Sequence, residues 1–191
     1  MMTNGLAIFI GLLMYILFIL FRICKVVFLK GKRYPIEKSI FIFGFFAYLS
    51  GLLCVTLFPI PIDMDLMNDR ISEGFAEENN LIPLKTIIKT IRASSLSIIV
   101  TQIGGNLILL FPLGIFIPFF FNQSSLKIQG VLIIGFFASF IIEMSQLMIS
   151  FLIGFTYRSF DVDDFILNTI GFCLGYLSFK YLYPLRNFIF E

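Results

Sequence analysis

The chain has 191 residues, of which 59% are hydrophobic and only 14% are charged. A soluble domain is roughly 45–50% apolar and about 25% charged, so this composition excludes an ordinary soluble protein. The net charge of +2 is too small to indicate a nucleic-acid partner, and the sequence has no histidine to serve as a general base or a transition-metal ligand. We therefore expect an all-α integral membrane protein.

Five apolar runs are long enough to cross a bilayer, which takes about 17–25 helical residues. Helix is expected in each run because a backbone exposed to lipid must satisfy its own hydrogen bonds. The predicted domains are a first helix with its basic link, 1–37, and a four-helix membrane domain, 38–191. The five predicted transmembrane helices lie near residues 5–29, 38–60, 96–121, 129–152 and 164–183.

The links between the spans differ in charge, and this difference predicts the orientation. The link after the first span carries the strongest basic cluster and is expected to be cytoplasmic, which places the N-terminus outside and the C-terminus in the cytoplasm. The second link, the outer loop 61–95, then lies outside. The basic cluster is Lys30, Lys32, Arg33 and Lys38, and the outer loop carries Asp63, Asp65, Asp69, Glu73, Glu77 and Glu78.

The second half of the outer loop predicts an amphipathic helix ahead of the third span. In LIPLKTIIKTIRASSL, apolar residues recur at helical spacing from Leu84 to Ile91. One interpretation is a helix that lies in the outer membrane interface, and the other is a solvated helix packed on the bundle. Its opposite face carries the candidate membrane-interface residues Lys85, Lys89 and Arg92.

Polar side chains within the last three spans predict a site inside the membrane. Glu143 lies well inside the fourth span, where a charge costs about 2.5–3.5 kcal/mol, and Gln146 follows it on the same side. At 1.5 Å per residue, Glu143 and Asn106 both lie roughly 14 Å from the outer ends of their helices. We predict that these polar groups face one another. Two further pairs share a face by their i, i+4 spacing: Gln102 with Asn106, and Asp164 with Asn168.

Acidic residues at the start of the fifth span, in RSFDVDDFILN, leave two interpretations open. Asp161, Asp163 and Asp164 suit the capped, positive beginning of a helix, but carboxylates are also the ligands of Mg²⁺ or Ca²⁺. Arg158 either balances these charges, pairs with Glu143 or holds a phosphate. We expect no metal and no cofactor. The candidate ligand-binding residues are Asn106, Glu143, Gln146, Arg158, Asp161, Asp164 and Asn168.

Small residues and prolines predict how the helices pack. Gly171 and Gly175 form a GxxxG pair that lets two helices approach closely, and Gly104 and Gly105 are expected to do the same. Pro112 removes a backbone hydrogen bond, so it is expected to kink the third span just beyond Asn106.

Three blocks of the sequence resemble the VanZ-like family of bacterial membrane proteins, over about residues 40–183. They are NNLIPLKTI, with Leu84 where phenylalanine is commoner; GGNLILLFPLGIFIP, which carries Asn106; and the positions Glu143, Gln146, Arg158, Asp161, Asp164, Asn168 and Gly171. The resemblance implies a multi-pass protein of the bacterial cell membrane with a cell-envelope role. The founding member is associated with resistance to the glycopeptide antibiotic teicoplanin, but the resemblance supplies no reaction.

Three functions stay open on these observations. The favoured one is a non-enzymatic protein whose outward polar site binds a membrane lipid or a lipid-linked cell-wall precursor, with a glycopeptide antibiotic as a further candidate partner. The second is an intramembrane enzyme on a lipid-linked substrate, with Glu143 as its candidate catalytic residue and general base. The third is a small proton-coupled transporter in which Glu143 titrates.

Overall fold

The computed structural model describes residues 4–28, 36–61, 79–121, 126–154 and 156–190. Five of its helices are long and apolar enough to cross a membrane, which confirms the predicted all-α fold with five spans. The assignment of the two membrane faces stays a prediction. Most residues that supported it lie outside the described ranges, namely Lys30, Lys32, Arg33, Asp63, Asp65, Asp69, Glu73, Glu77 and Glu78.

The helices follow the predicted order. A short amphipathic helix, α3, precedes the third span, which consists of three α-helical pieces and one π-helical segment. Helices α7 and α8 form the fourth and fifth spans. The bounds are α1 Asn4–Phe28, α2 Ile36–Thr56, α3 Lys85–Ala93, α4 Leu96–Ile99, the π-helix Val100–Gly104, α5 Gly105–Leu109, α6 Phe111–Phe121, α7 Ile128–Ile153 and α8 Val162–Phe190.

Two compact units make up the chain: Met1–Ile60 with Pro184–Glu191, and Pro61–Tyr183. In the first unit, α1 and α2 run antiparallel, and a Cβ atom on Gly11 would lie 1.6 Å from the Ser50 Oγ atom. The two helices therefore come close at this glycine. These units are defined by contacts within the structure, and they do not test the predicted domains 1–37 and 38–191, which stay a prediction.

The third span is not one regular helix. Its backbone widens into the π-helix Val100–Gly104, and its α-helix ends at Leu110 before it resumes at Phe111. The break at Leu110 lies two residues before Pro112, where the missing N–H group removes a helical hydrogen bond. This agrees with the predicted kink.

Helix α8 packs against the backbone of the third span through glycine. A Cβ atom would lie 2.0 Å from the Leu107 carbonyl oxygen at Gly171, and 2.0 Å from the Phe111 carbonyl oxygen at Gly175. The predicted role of this GxxxG pair is therefore seen directly. Gly105 has no such neighbour within 4 Å, so the close approach expected there is not formed.

The contacts of α8 also set the relative directions of its neighbours. Residue numbers rise together along the contacts of α8 with the third span, so these two spans run parallel. Helix α7 runs antiparallel to α8, because Gly135 meets the Phe172 side chain while Glu143 meets the Asp161 amide. The start of α8 and the later part of α7 therefore lie at the same end of this unit.

The glycine contact gives a stability prediction. We expect Gly175→Ala to lower the free energy of unfolding by about 1–3 kcal/mol, because the added methyl group overlaps a backbone oxygen that cannot move far. Thermal unfolding of the purified protein in detergent measures this loss. Gly105→Ala is the matched control, since open space surrounds that position, and an equal loss in both variants would contradict the assigned contact.

Candidate functional site

Helix α7 turns most of its polar side chains toward the protein interior. Glu143 is only 2% exposed, although it lies in the middle of a helix long enough to span a membrane. The outer face is apolar, as contact with lipid requires. The buried stripe is Val131, Gly135, Ser139, Ile142, Glu143, Gln146 and Ser150. The exposed large residues are Ile128, Leu132, Ile133, Phe136, Phe137, Phe140, Ile141, Met148, Phe151 and Leu152.

Helix α8 begins at the level of Glu143 rather than at the end of α7. The Asp161 backbone N–H donates to the Glu143 Oε2 atom at 3.4 Å. Glu143 lies ten residues before the last residue of α7, Ile153, which is about 15 Å along the helix axis. The chain returns beside α7 over this distance, and Ser150 Oγ donates to the Arg158 carbonyl at 3.2 Å on the way.

Asp161 is the N-cap of α8 and also joins it to the segment before α3. Its carboxylate accepts the Asp163 backbone N–H at 2.8 Å, the Asn80 side-chain amide at 2.8 Å and the Thr86 hydroxyl at 2.6 Å. The Asn80 backbone bonds the Phe160 carbonyl and the Val162 N–H group, as in a short parallel bridge. The capping interpretation therefore holds for Asp161.

Asp163 caps a different helix from the one that carries it. Its carboxylate accepts the backbone N–H groups of Leu84, Thr86 and Ile87, at 2.5, 2.7 and 3.0 Å, at the beginning of α3. Leu84 precedes α3 in a left-handed conformation, with φ 68°, and offers no capping side chain of its own. Because negative charge is stabilised at a helix N-terminus, the fully buried Asp163 holds α3 to the bundle.

Helix α3 presents three distinct faces. Thr86 and Thr90 lie against the protein, and Thr90 Oγ1 donates to Gln102 Oε1 at 3.1 Å. The apolar face is exposed at Ile88 and Ile91, so no described residue covers it. This favours the membrane-interface interpretation over a solvated helix packed through its apolar side. The remaining face consists of exposed Lys85, Lys89 and Arg92.

The π-helix includes one of two residues that were expected to share one face, and it ends before the other. Gln102 lies within the π-helix and bonds α3, whereas Asn106 lies beyond it and its Nδ2 atom donates to Asp164 Oδ1. The shared face predicted from their i, i+4 spacing stays a prediction, because bonds to different helices do not decide it. Asn106 thus bonds the start of α8, one turn past Asp161.

These contacts define a polar layer inside the membrane domain, to which α3, the third span, α7 and α8 contribute. Asp161, Asp164 and Arg158 are the charged groups that act on Glu143. Gln146 is buried one turn from Glu143, Arg158 is half-buried, and Asn168 is buried one turn beyond Asp164. The polar layer consists of Asn80, Thr86, Asn106, Glu143, Asp161, Asp163 and Asp164.

The hydrogen bonds of the aspartates bear on the magnesium or calcium alternative. The carboxylates of Asp161 and Asp163 already accept six hydrogen bonds from described donors, four of them from backbone N–H groups. Those oxygens serve the fold, which leaves them poorly placed as cation ligands. Within the described ranges, no group of three or more histidine, cysteine or acidic residues has the arrangement of a metal site.

Comparison with known proteins agrees with this arrangement of helices and blocks. A family model described as VanZ/LLP1 matches residues 45–184, which include the whole polar layer. The chain belongs to the VanZ/LLP1 family. The resemblance drawn from the three sequence blocks is thus confirmed. No curated protein and no solved structure matches the chain.

Sequence reasoning missed two members of the polar layer in this VanZ-family chain. Asn80 and Thr86 both bond the Asp161 carboxylate, but neither lies in an apolar span. The available signal was the block NNLIPLKTI, which contains both residues and resembles the family pattern.

The capping of α3 by the Asp163 carboxylate gives a prediction for the stability of that helix. We expect Asp163→Ala to weaken the start of α3 by about 0.5–2 kcal/mol, because three backbone donors lose their acceptor. Hydrogen–deuterium exchange of residues 84–93, measured on the purified protein in detergent, should become faster. Thr169→Val is the control, since that hydroxyl bonds only within α8, to the Phe165 carbonyl at 2.9 Å. Unchanged exchange in Asp163→Ala would refute the cap.

Proposed function

We propose that this VanZ-family protein acts in the bacterial cell envelope by binding the headgroup of a lipid or lipid-linked cell-wall precursor at its polar layer. The observation that carries the proposal is Glu143, a carboxyl group that is 2% exposed within a membrane-spanning helix. Ionisable residues inside a membrane are expensive, and they commonly line the path or site of a ligand.

The fold gives little reason for a carboxyl group at residue 143. Asp161 and Asp163 each accept three hydrogen bonds that hold helix beginnings in place. Glu143 accepts the Asp161 N–H at 3.4 Å, which is long for a hydrogen bond, and a glutamine oxygen would accept it equally well. A binding role explains the acid where packing does not.

Helix α3 supports an amphiphilic ligand rather than a wholly polar one. Its exposed apolar face, with Ile88 and Ile91, suits acyl or isoprenoid chains. Its cationic face, with Lys85, Lys89 and Arg92, suits phosphate groups at the membrane surface. Through Thr86 and Asp163 this helix is bonded directly to the polar layer.

The proposal places the polar layer toward the outside of the cell, following the orientation predicted from the basic link. Lys89 then faces the exterior and Lys127 the cytoplasm. In intact cells that carry a cysteine-free background, a membrane-impermeant maleimide should label Lys89→Cys and spare Lys127→Cys. The reverse labelling pattern would place the site on the cytoplasmic side.

An intramembrane enzyme acting on the same class of substrate is the second candidate. The observation that favours it is the buried Glu143 carboxyl group within the electrostatic reach of the Arg158 guanidinium. In such an enzyme Glu143 would take a proton and Arg158 would hold a phosphate. The structural bonds of Asp161 and Asp163 weigh against a version that needs those two residues as metal ligands.

Lipid retention tests the binding proposal. We expect the wild-type protein, purified in mild detergent, to retain a bound lipid or precursor that Glu143→Gln retains about tenfold less, because loss of a charged hydrogen-bonding partner costs about 1.5–3 kcal/mol. Mass spectrometry of the extracted lipids measures the ratio. Asn106→Ala, which removes the bond to Asp164, should also reduce retention.

Ser145→Ala is the matched control for this experiment. Ser145 lies two residues from Glu143, but its hydroxyl donates to the Ile141 carbonyl of its own helix at 2.6 Å. This variant should retain lipid as the wild type does. Equal lipid profiles in the wild type and Glu143→Gln would refute the proposed site.

Antibiotic sensitivity tests the envelope role. We expect expression in a susceptible bacterium to lower sensitivity to teicoplanin severalfold and to leave sensitivity to vancomycin nearly unchanged. The reason is that a lipid-binding site affects a glycopeptide anchored in the membrane more than one that is not anchored there. Minimum inhibitory concentrations measure both effects, with Glu143→Gln expressed at the same level as the control. Equal shifts for the two antibiotics, or no shift for either, would contradict the teicoplanin role.

A further inference from the structure

Two polar atoms within the membrane domain have no hydrogen-bond partner among the described residues. They are the Ser139 Oγ atom and the Asn168 Oδ1 atom, on residues that are 0% and 1% exposed. Buried polar side chains in proteins are nearly always hydrogen-bonded, because an unsatisfied group loses its hydration and gains nothing in return. A pair of such atoms on neighbouring helices indicates a group that neither helix supplies.

The packing of α7 on α8 places these two residues at one level. A Cβ atom added to Gly135 would lie 3.1 Å from the Phe172 side chain, so the two residues are in contact. Because the helices are antiparallel, one turn from this contact toward Glu143 leads to Ser139 on α7 and to Asn168 on α8. Ser139 belongs to the buried stripe of α7, so it faces the interior on the same side as Asn168.

The Ser139–Asn168 pair lies directly beyond the acidic part of the polar layer. Glu143 is one turn from Ser139 on α7, and Asp164 is one turn from Asn168 on α8. On the other side, the Phe172 ring packed on Gly135 ends the run of polar side chains. These residues form a buried row of hydrogen-bond acceptors, with carboxylates at one end and an aromatic ring at the other, and we call this row the recess.

We infer that this recess, formed by Glu143, Asp164, Ser139 and Asn168, receives a primary ammonium group of the bound amphiphile. The inference rests on the proposed function and deepens it by naming the chemical group. An ammonium group has three N–H donors and no acceptor, which complements two carboxylates, an amide oxygen and a hydroxyl. Its charge offsets the negative excess that Asp161 and Asp164 create around Glu143.

Other cationic or anionic groups suit the recess less well. Calcium takes six to eight oxygen ligands and magnesium a strict octahedron, whereas the oxygens of Asp161 and Asp163 are engaged in capping. A phosphate would meet carboxylates of the same charge. The same amphiphile can nevertheless place its phosphate nearer to Arg158 and the cationic face of α3. The ammonium group can belong to an aminophospholipid headgroup or to an amino sugar on a lipid-linked saccharide.

A matched pair of probes tests the need for N–H donors. Dodecylammonium and dodecyltrimethylammonium carry the same charge and chain, but only the first can donate hydrogen bonds. We expect the purified full-length protein in uncharged detergent to bind dodecylammonium about tenfold more tightly, as measured by native mass spectrometry. Equal binding of the two probes by the wild type would overturn the inference, and so would displacement of dodecylammonium by Ca²⁺ or Mg²⁺ at equal concentration.

Two substitutions test the named residues. Asn168→Leu and Ser139→Ala should each reduce the preference for dodecylammonium about tenfold, while Ser145→Ala leaves it unchanged. Asn168→Leu replaces an unpartnered buried amide by an apolar group of similar size, so its thermal stability should equal or exceed that of the wild type. A stable Asn168→Leu or Ser139→Ala protein with the full preference would overturn the inference.

Two further pairs of probes distinguish the sources of the ammonium group. Preference for phosphatidylethanolamine over phosphatidylcholine in nanodiscs would assign a lipid headgroup. Preference for dodecyl glucosaminide over its N-acetylated form would assign an amino sugar. Either result supports the inference, and absence of both preferences overturns it.

Failure of the ammonium site can be distinguished from failure of the proposed lipid-binding function. A retained lipid that depends on Glu143 but contains no amine would overturn only the ammonium site. Discrimination between the dodecyl probes without any Glu143-dependent lipid in the purified protein would support the recess and refute the lipid-binding role.

Discussion

The Asp163 carboxylate holds together the part of the protein on which the polar layer depends. It accepts hydrogen bonds from three backbone N–H groups at the beginning of α3. The backbone N–H of Asp163 donates to the carboxylate of Asp161, the N-cap of α8. In a membrane, backbone donors that water cannot reach must find acceptors in the protein. One buried residue therefore satisfies a helix beginning that the local sequence, with Leu84 in a left-handed conformation, leaves uncapped.

Helix α8 combines two tasks in consecutive turns. Its first turns carry Asp164 and Asn168, which contribute to the polar layer and the recess. The following turns carry Gly171 and Gly175, which bring its backbone against the third span. Close packing of backbones gives van der Waals contact where lipid provides no hydrophobic driving force. Close packing at the two glycines thus positions the polar half of α8, and no polar side chain takes part in this contact.

Much of this architecture could be predicted from the sequence, and the remainder depends on long-range contacts. The apolar runs determined the five spans, and the helical period correctly indicated that Glu143 and Gln146 turn inward. The capping of α3 by Asp163 was not predicted, because Asp163 and Leu84 are 79 residues apart in the sequence. The π-helix Val100–Gly104 was not predicted, because π-helical geometry has no clear sequence signal. Asn80 is joined to the site by long-range bonds to Asp161 and to the backbone of Phe160 and Val162, which the sequence does not reveal.

The contact between Gly171 and the Leu107 carbonyl also limits how this unit can move. A helix pair whose backbones touch can neither slide by a residue nor rotate without a steric clash, so this contact restricts the movement of Gly171 against the third span. Helix α3 is held differently, since hydrogen bonds to the side chains of Asp161, Asp163 and Gln102 fix it in place.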